Sequence, residues 1–248
     1  MIVTASTSCV PNLSLSETFD RLADLEYTST ELVIGEQGTI SFATLVNQFD
    51  PLVKLCKMTR HVSPVAIYFD LEPDNSGYAE LFTKVCQFAK AVKVVVVTVH
   101  ASVPGTPYNE ENDRLRELVR IGLMHGVVVG IATEGGRITD DPGTVASLCK
   151  TIKGLGATLD PSHYIFKHKS PKDYDAVLPY TCFVRLRDTT AEQFQICVGQ
   201  GAVEFGRLVI QLSKINYKGA LCADLAPLPG LDPFSELRKM RLLLESLL

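Results

Sequence analysis

The chain has 248 residues and a formal net charge of −4 at pH 7, and its seven cysteines include no C-x-x-C pair. The length is sufficient for one domain with a large core. The negative charge argues against a nucleic-acid-binding surface, which carries a basic stripe. The isolated cysteines argue against a disulfide framework or a cysteine-rich zinc site.

The sequence contains no segment that resembles a membrane span or a secretory signal. The longest apolar run, residues 94–99, is too short to cross a bilayer. The first residues lack the charged segment and long apolar segment that mark a signal peptide. We therefore expect a cytoplasmic protein that forms one domain over residues 1–248, with neither a membrane nor a nucleic-acid partner.

Segments with the composition of β-strands alternate along the chain with segments of helical character. The predicted strands are 2–8, 30–35, 64–70, 93–100, 127–134, 156–160, 181–187 and 219–225. The predicted helices are 15–26, 41–60, 76–91, 110–125, 142–153, 172–179, 203–216 and 232–247. Eight alternating pairs predict an α/β fold and, more narrowly, a closed (β/α)8 barrel. An open doubly wound sheet is the alternative, but it would need a glycine-rich turn where residues 7–11 read TSCVP.

Several helix starts carry local capping signals. Ser14 and Glu17 have the spacing of a capping box, in which each side chain accepts a backbone N–H that the helix leaves unpaired. Asp141 and Asp232 each precede a proline, which places a capping acceptor before a residue suited to the first helical position. These signals predict where three of the helices begin.

Polar residues collect at the C-terminal ends of the predicted strands, where a (β/α)8 barrel has its active face. Side chains alternate along a strand, so Asp160 shares the inward face of its strand with Thr158, and Arg187 shares a face with Arg185. The side chains predicted to meet at the barrel mouth are Glu31, His100, Glu134, Asp160, His163, Arg185, Arg187, Asp188 and Asp224. We expect the functional site among them.

The order and spacing of five segments carry a resemblance to a known family. Residues 15–33 look like an opening helix and a strand with an inward glutamate, and residues 109–126 look like the helix before a fifth strand. LDPSH at 159–163 is similar to an Asp-x-x-His motif, and RLRD at 185–188 falls where His-x-Lys-Asp is usual. With the segment 198–225, they resemble the sugar phosphate isomerase/epimerase superfamily, the xylose-isomerase-like TIM barrels.

The resemblance implies a divalent metal at the mouth, held by Glu, Asp, His and Glu from strands five to eight. The two glutamates would also act as the acid/base pair. This chain offers Ala132, Asp160, Arg185 and Asp224 at the matching positions. Asp160 is kept and Asp224 is a shortened carboxylate, but an arginine cannot coordinate a metal, because its guanidinium is protonated and has no lone pair to give.

Two arrangements would compensate for the missing ligands. A metal (Mn, Mg or Zn) could be bound at a rebuilt site made from Glu134, Asp160, His163 and Asp224. Alternatively the site has no metal, and Arg185, with or without Arg187, supplies a fixed cation among the carboxylates. We favour the second arrangement, because buried carboxylates need a compensating charge.

Two functions follow from the resemblance. The first is a sugar or sugar-phosphate (keto-sugar or keto-acid) isomerase or epimerase. In it Glu134 would act as base with Asp224 as its partner, and a cation would stabilise the enediolate oxygen. The residues expected to bind the substrate are Glu31, His100, Arg185, Arg187 and Asp188. The alternative is a catalytically degenerate member that binds a small sugar, carboxylate or phosphate without turnover.

Other features permit narrower expectations. The turn at residues 199–201, GQG, could cradle a phosphate, but a plain flexible turn is favoured, and Asp188 could serve only to orient a turn. The endonuclease-like branch of the superfamily fits badly, since it uses a histidine-rich zinc cluster and this chain has five histidines. The resemblance is also compatible with a homo-oligomer.

Overall fold

A computed structural model of the chain describes residues 1–59, 61–168 and 172–248. Its strands are β1 (Ile2–Ser6), β2 (Ser29–Gly35), β3 (Ser63–Asp70), β4 (Val96–Val99), β5 (Val128–Ala132), β6 (Leu155–Leu159), β7 (Thr181–Leu186) and β8 (Ala220–Ala223). All pair in parallel with their neighbours in sequence order, and β1 pairs with β8. The sheet is therefore a closed barrel without a free edge, which confirms the predicted (β/α)8 fold.

The helices surround this barrel. They are α1 (Leu15–Asp24), α2 (Phe42–Asn47), α3 (Phe49–Met58), α4 (Tyr78–Val92), α5 (Tyr108–His125), α6 (Pro142–Thr151), α7 (Phe205–Lys214) and α8 (Pro233–Ser246). The three predicted capping signals are confirmed: Ser14 and Glu17 form the capping box of α1, and Asp141 and Asp232 cap α6 and α8. Within the described ranges, no helix has the length and apolar character needed to cross a membrane.

The predicted helix 41–60 is two helices, α2 and α3, which meet at Gln48. Pro51 explains the break. In a continuous helix Pro51 would have no N–H to donate to the carbonyl of Asn47, and its ring would clash with that carbonyl. The last position of this prediction, residue 60, lies outside the described residues.

The predicted helix 172–179 is wrong. Residues 172–177 form no helix, and Leu178–Tyr180 forms a 3-10 turn that contains Pro179. The Asp173 carboxylate accepts a hydrogen bond of 2.9 Å from the backbone N–H of Asp175, which is an Asx turn. This local bond competes with helical backbone pairing, and eight residues that end at a proline are too few to overcome it.

The barrel interior is filled by side chains whose alternation sets the direction of the mouth residues. Thr98 Oγ1 and Thr158 Oγ1 lie 2.7 Å apart inside the barrel. Since side chains two residues apart share a face, His100 and Asp160 lie on the same inner face one step nearer the mouth. The predicted inward assignment of these two strands is therefore confirmed.

Gly156 in β6 lies directly against Cys182 of β7. A Cβ added at Gly156 would lie 2.6 Å from Cys182 Sγ and 2.8 Å from Cys182 Cβ. We expect Gly156→Ala to lower the free energy of unfolding by about 1–3 kcal/mol, because the closed barrel leaves the added methyl no space. Urea denaturation measures the loss.

The matched control is Gly206→Ala in α7, where the added Cβ would make an ordinary contact of 3.8 Å with Leu247 Cδ2. This variant should keep the wild-type stability or gain up to about 1 kcal/mol, because alanine loses less backbone entropy in a helix. Equal effects of the two substitutions would contradict the assigned packing of β6 against β7.

Candidate functional site

Five charged side chains at the barrel mouth form a continuous series of contacts, here called the ion-pair chain. In order of contact its members are Glu31, Arg185, Asp224, Arg187 and Asp160. Arg185 Nε lies 3.3 Å from Glu31 Oε2, and Arg185 Nη2 lies 3.1 Å from Asp224 Oδ1. Arg187 Nη2 lies 3.1 Å from Asp160 Oδ2 and also contacts Asp224 Oδ2. Two guanidinium groups thus share the carboxylate of Asp224.

Uncharged groups fix the two aspartates in this arrangement. Ser8 Oγ donates a hydrogen bond of 2.9 Å to Asp224 Oδ1. The backbone N–H of Ser162 donates to Asp160 Oδ1 at 3.0 Å, so Asp160 caps the 3-10 turn that follows β6. Each aspartate therefore has a second partner that does not depend on the arginines.

Aromatic rings cover the two guanidinium groups. Arg185 Cζ lies 4.0 Å from the centre of the Tyr68 ring, and Arg187 Cζ lies 4.5 Å from the centre of the Phe194 ring. A planar guanidinium stacks on an aromatic face while its edge donates hydrogen bonds. The rings thus orient the edges of both arginines toward the carboxylates.

Burial and ion pairing act in opposite directions on the carboxylates of the ion-pair chain. Burial disfavours the charged form of Asp224, but Arg185 and Arg187 hold the pKa of Asp224 at about 2. Glu31 is fully buried, and this burial raises the pKa of Glu31 despite the nearby Arg185. Two guanidinium charges face three carboxyl groups, so a raised pKa at Glu31 lessens the excess of negative charge.

A second cluster surrounds His100, beside the ion-pair chain. Its Nε2 lies 3.0 Å from Asp70 Oδ1, and its Nδ1 lies 2.9 Å from both carboxylate oxygens of Glu134. Tyr68 Oη donates to Glu134 Oε1 at 2.9 Å. We call Tyr68, Asp70, His100 and Glu134 the histidine cluster; Tyr68 joins it to Arg185.

The histidine cluster is held together by charge. Burial alone would lower the pKa of His100, but hydrogen bonds to Asp70 and Glu134 raise the pKa of His100 to about 9. Burial likewise opposes ionisation of Glu134, yet His100 and Tyr68 hold the pKa of Glu134 at about 2. At neutral pH the two residues therefore form an imidazolium–carboxylate pair.

His163 lies at the mouth but is not held by an ion pair of this kind. The Gly135 backbone N–H donates to His163 Nδ1 at 3.1 Å, and His163 Nε2 lies 3.8 Å from Asp160 Oδ2. Burial lowers the pKa of His163, although Asp160 opposes this. The ring is then neutral at neutral pH, and the hydrogen-bond network assigns its proton to Nε2.

Asp188 contacts a different part of the protein from the other predicted site residues. Its Oδ2 accepts hydrogen bonds from the backbone N–H groups of Gly199 at 2.8 Å and Gly201 at 2.9 Å, and its Oδ1 accepts one from Thr189. These are the N–H groups that the GQG turn would have offered to a phosphate. Asp188 thus orders the loop after β7, which carries Phe194.

The donor groups at the mouth do not fit a divalent metal. Arg187 Nη2 lies between Asp160 and Asp224, so a guanidinium occupies the space in which those carboxylates would share a cation. Of the other two residues in the rebuilt site, Glu134 is held by His100, and His163 uses the Nδ1 lone pair for Gly135. In the part of the chain that the structure describes, no group of three or more His, Cys, Asp or Glu side chains is arranged to hold a metal.

Sequence reasoning missed Tyr68, Asp70, Ser8 and Phe194. Tyr68 and Asp70 lie two residues apart at the end of β3, so the alternation that identified the other strands would have found them. Ser8 lies in the 3-10 turn Thr7–Cys9, which takes the place of the end of the predicted strand 2–8, and Phe194 lies in the loop after β7. The alternation of a strand extends into neither segment, so it could not identify these residues.

The sequence matches the family model described as "Xylose isomerase-like TIM barrel" over residues 19–238. No curated protein sequence matches the chain significantly. Three solved structures illustrate the similarity of fold. A D-tagatose 3-epimerase-like protein is 19% identical, with a TM-score of 0.77 over 100% of this chain and 98% of that protein.

The second structure is a 3-keto-D-glucoside 4-epimerase from E. coli, 15% identical, with a TM-score of 0.77 over 99% of each chain. The third is a xylose isomerase-like TIM barrel protein from Mycobacterium smegmatis in complex with magnesium. It is 12% identical, with a TM-score of 0.79 over 100% of this chain and 98% of that one. At these identities the likeness establishes the fold.

Removing Arg187 would leave the buried carboxylate of Asp160 without a counter-charge, and Asp224 with Arg185 alone. We expect Arg187→Met to lower the free energy of unfolding by about 3–5 kcal/mol in urea denaturation. The control is Arg207→Met. Arg207 pairs with Asp175 at 2.9 Å and lies 6.0 Å from the Tyr174 ring centre, but its side chain is 43% exposed. The free energy of unfolding of Arg207→Met should fall by about 1 kcal/mol or less. Similar losses in both variants would argue against a buried ion-pair chain.

The raised pKa of His100 predicts a pH dependence of stability. The pKa of His100 is about 9 in the folded protein and has its ordinary value of 6.5 in the unfolded chain. Between pH 6.5 and pH 9, His100 is therefore protonated in the folded protein and mostly neutral in the unfolded chain. This stabilisation is complete below pH 6.5 and is lost as the pH rises toward 9, with a slope of up to about 1.4 kcal/mol per pH unit.

Urea unfolding of the wild type and of His100→Asn between pH 6.5 and 9 measures this slope. The variant should lose the slope, and His61→Asn, which changes an exposed histidine, should retain it. A wild-type slope that persists in His100→Asn would mean that another group takes up the proton.

Proposed function

Because the chain belongs to the xylose isomerase-like TIM barrel family, we propose that its barrel mouth binds a small sugar or a related carbonyl or anionic compound without a resident divalent metal. One observation carries this proposal: Arg187 Nη2 contacts both Asp160 and Asp224. The fold of proteins named as sugar epimerases supports a sugar as the ligand class. The guanidinium supports a site in which the cation is part of the chain.

The arginines supply the binding chemistry. Both ion pairs of Arg187 use Nη2, and no residue in the described ranges accepts a hydrogen bond from its Nη1. A guanidinium has five N–H donors in a fixed plane, which suits hydroxyl, carbonyl and carboxylate oxygens. The neutral His163 adds an Nε2 donor beside Asp160. The mouth thus offers donors from two elements to one ligand.

The pKa values of the two candidate bases favour ligand binding over catalysis. Abstraction of a proton alpha to a carbonyl is fastest when the base has a pKa near the working pH. Glu134 and Asp224, the predicted base and its partner, both have pKa values of about 2, because each is paired with a cation. They are therefore weak bases in the free protein, which supports the degenerate, ligand-binding member of the family.

An isomerase or epimerase is the second candidate, and the histidine cluster favours it. A ligand oxygen that took the place of Glu134 beside His100 would free the carboxylate, which could then accept the proton alpha to the carbonyl. The C–H electron pair would become the enediolate, whose oxygen a guanidinium would hold. Protonated His100, still paired with Asp70, could return a proton to the neighbouring carbon in an isomerisation, or to the opposite face of the same carbon in an epimerisation.

We expect a panel of ketohexoses and ketohexose phosphates to contain a ligand whose binding is unchanged by EDTA. Saturation-transfer NMR with the wild-type protein measures it, with and without EDTA and Mn2+. Arg187→Lys should weaken that ligand about tenfold, because lysine keeps the charge but not the planar set of donors. The matched control, Arg207→Lys, should bind as the wild type does.

Binding that EDTA abolishes and one equivalent of Mn2+ restores would overturn the metal-free proposal. The same samples in D2O separate the two candidates. A ligand that gains deuterium at the carbon alpha to its carbonyl, in the wild type but not in Glu134→Gln, identifies an isomerase or epimerase. A ligand that binds without exchange identifies a binding protein.

A further inference from the structure

A cavity of about 380 Å3 lies beside the ion-pair chain, between the loops that follow β5, β6 and β7. Its lining is formed by Gly135, Gly136, Asp140, His163, Phe166, Lys167, His168 and Phe194. The volume is within the range of small-molecule sites. His163 and Phe194 border both this cavity and the ion-pair chain, but the other lining residues take no part in the chain.

One wall of the cavity is aromatic. The ring centres of His163 and Phe194 lie 4.7 Å apart, and those of Phe166 and Phe194 lie 5.3 Å apart, with interplanar angles of 51° and 56°. The two phenylalanines are partly exposed. Tilted rings at these spacings form a surface against which another aromatic ring packs favourably.

Among the charged residues that the structure describes around the cavity, Lys167 is a positive group without a carboxylate partner. Asp140 is neutralised by Lys172, whose Nζ lies 2.9 Å from Asp140 Oδ1, and His168 Nε2 lies 3.4 Å from the same oxygen. Lys167 forms no salt bridge with any residue that the structure describes, and its Nζ stands 4.9 Å from the centre of the Phe166 ring. An ammonium group is thus held at the edge of the aromatic wall.

The backbone at Lys167 fixes this position. Lys167 has φ of 62°, a left-handed conformation that residues other than glycine adopt rarely. Its backbone N–H donates to the carbonyl oxygen of Ala191 at 2.9 Å, which ties the loop after β6 to the loop that carries Phe194. The contact therefore keeps Lys167, Phe166 and Phe194 around one cavity.

We propose that this cavity is a binding site for a small aromatic carboxylate, with the ring against Phe166 and Phe194 and the carboxylate near the Lys167 ammonium. The site is adjacent to the proposed sugar site: neither Phe166 nor Lys167 contacts the ion-pair chain, whereas His163 lines the cavity and also faces Asp160. Phe194 connects the two sites, since its ring also lies against Arg187.

Three probes with one ring and different charges test the proposal by 19F NMR: 4-fluorobenzoate, 4-fluorobenzyl alcohol and 4-fluorobenzylammonium. With the wild-type protein we expect saturable broadening for the benzoate, binding about tenfold weaker for the alcohol and none for the ammonium. Phe194→Ala and Phe166→Ala should each lower the affinity for the benzoate at least fivefold. Lys167→Gln should lower the affinity for the benzoate to that for the alcohol.

The matched control is Phe234→Ala, which removes another partly buried phenylalanine that lies under an arginine, Arg21, at 4.5 Å. This variant should bind the benzoate as the wild type does. Circular dichroism of each variant verifies its folding, and Lys167→Gln, at an exposed side chain, provides a test that does not disturb packing.

The proposal is overturned if the wild type does not bind the benzoate, if the three probes bind alike, or if both phenylalanine variants bind normally. These outcomes can be distinguished from a failure of the sugar site. Arg187→Lys should weaken the sugar ligand while the benzoate still binds, so a failed sugar screen and a failed benzoate titration are separate results.

Discussion

The contact of Arg187 with Asp160 and Asp224 is the interaction on which the barrel mouth depends. Closing eight parallel strands brings the ends of β6, β7 and β8 together, and the two aspartates follow β6 and β8 directly. Two buried carboxylates that are close enough to contact the same side chain repel one another unless a cation lies between them. The arginine, which follows β7, extends into that space.

A guanidinium in this position differs from a metal in the chemistry it can supply. A bound metal exchanges ligands and accepts an oxygen of the substrate directly, whereas a guanidinium is fixed to the chain and only donates hydrogen bonds. It also holds the pKa of Asp224 at about 2. The guanidinium that neutralises Asp224 therefore also weakens this carboxylate as a base. Under the proposed function, a ligand would compete with the carboxylates for the arginines.

The sequence predicted the barrel and the identity of most mouth residues, because both depend on periodicity. Alternation along the strands assigned Glu31, Asp160 and Arg185 to one interior, and the structure brings them into one ion-pair chain with Asp224 and Arg187. The partners of each residue were not predictable. The contact of Glu134 with His100 depends on the path of the loop after β5, and the 172–179 error came from an Asx turn that outweighs helical propensity.

The loop after β7 connects hydrogen bonds at the edge of the barrel with the position of Arg187 at the mouth. The carboxylate of Asp188 gathers the backbone N–H groups of Gly199 and Gly201, and a Cβ at Gly201 would lie 2.0 Å from Asp188 Oδ1, so only glycine fits there. The loop fixed in this way carries Phe194 over Arg187. Arg187 in turn joins Asp160 to Asp224. A backbone contact at the edge of the barrel therefore helps to position the aromatic ring that covers the cation between Asp160 and Asp224.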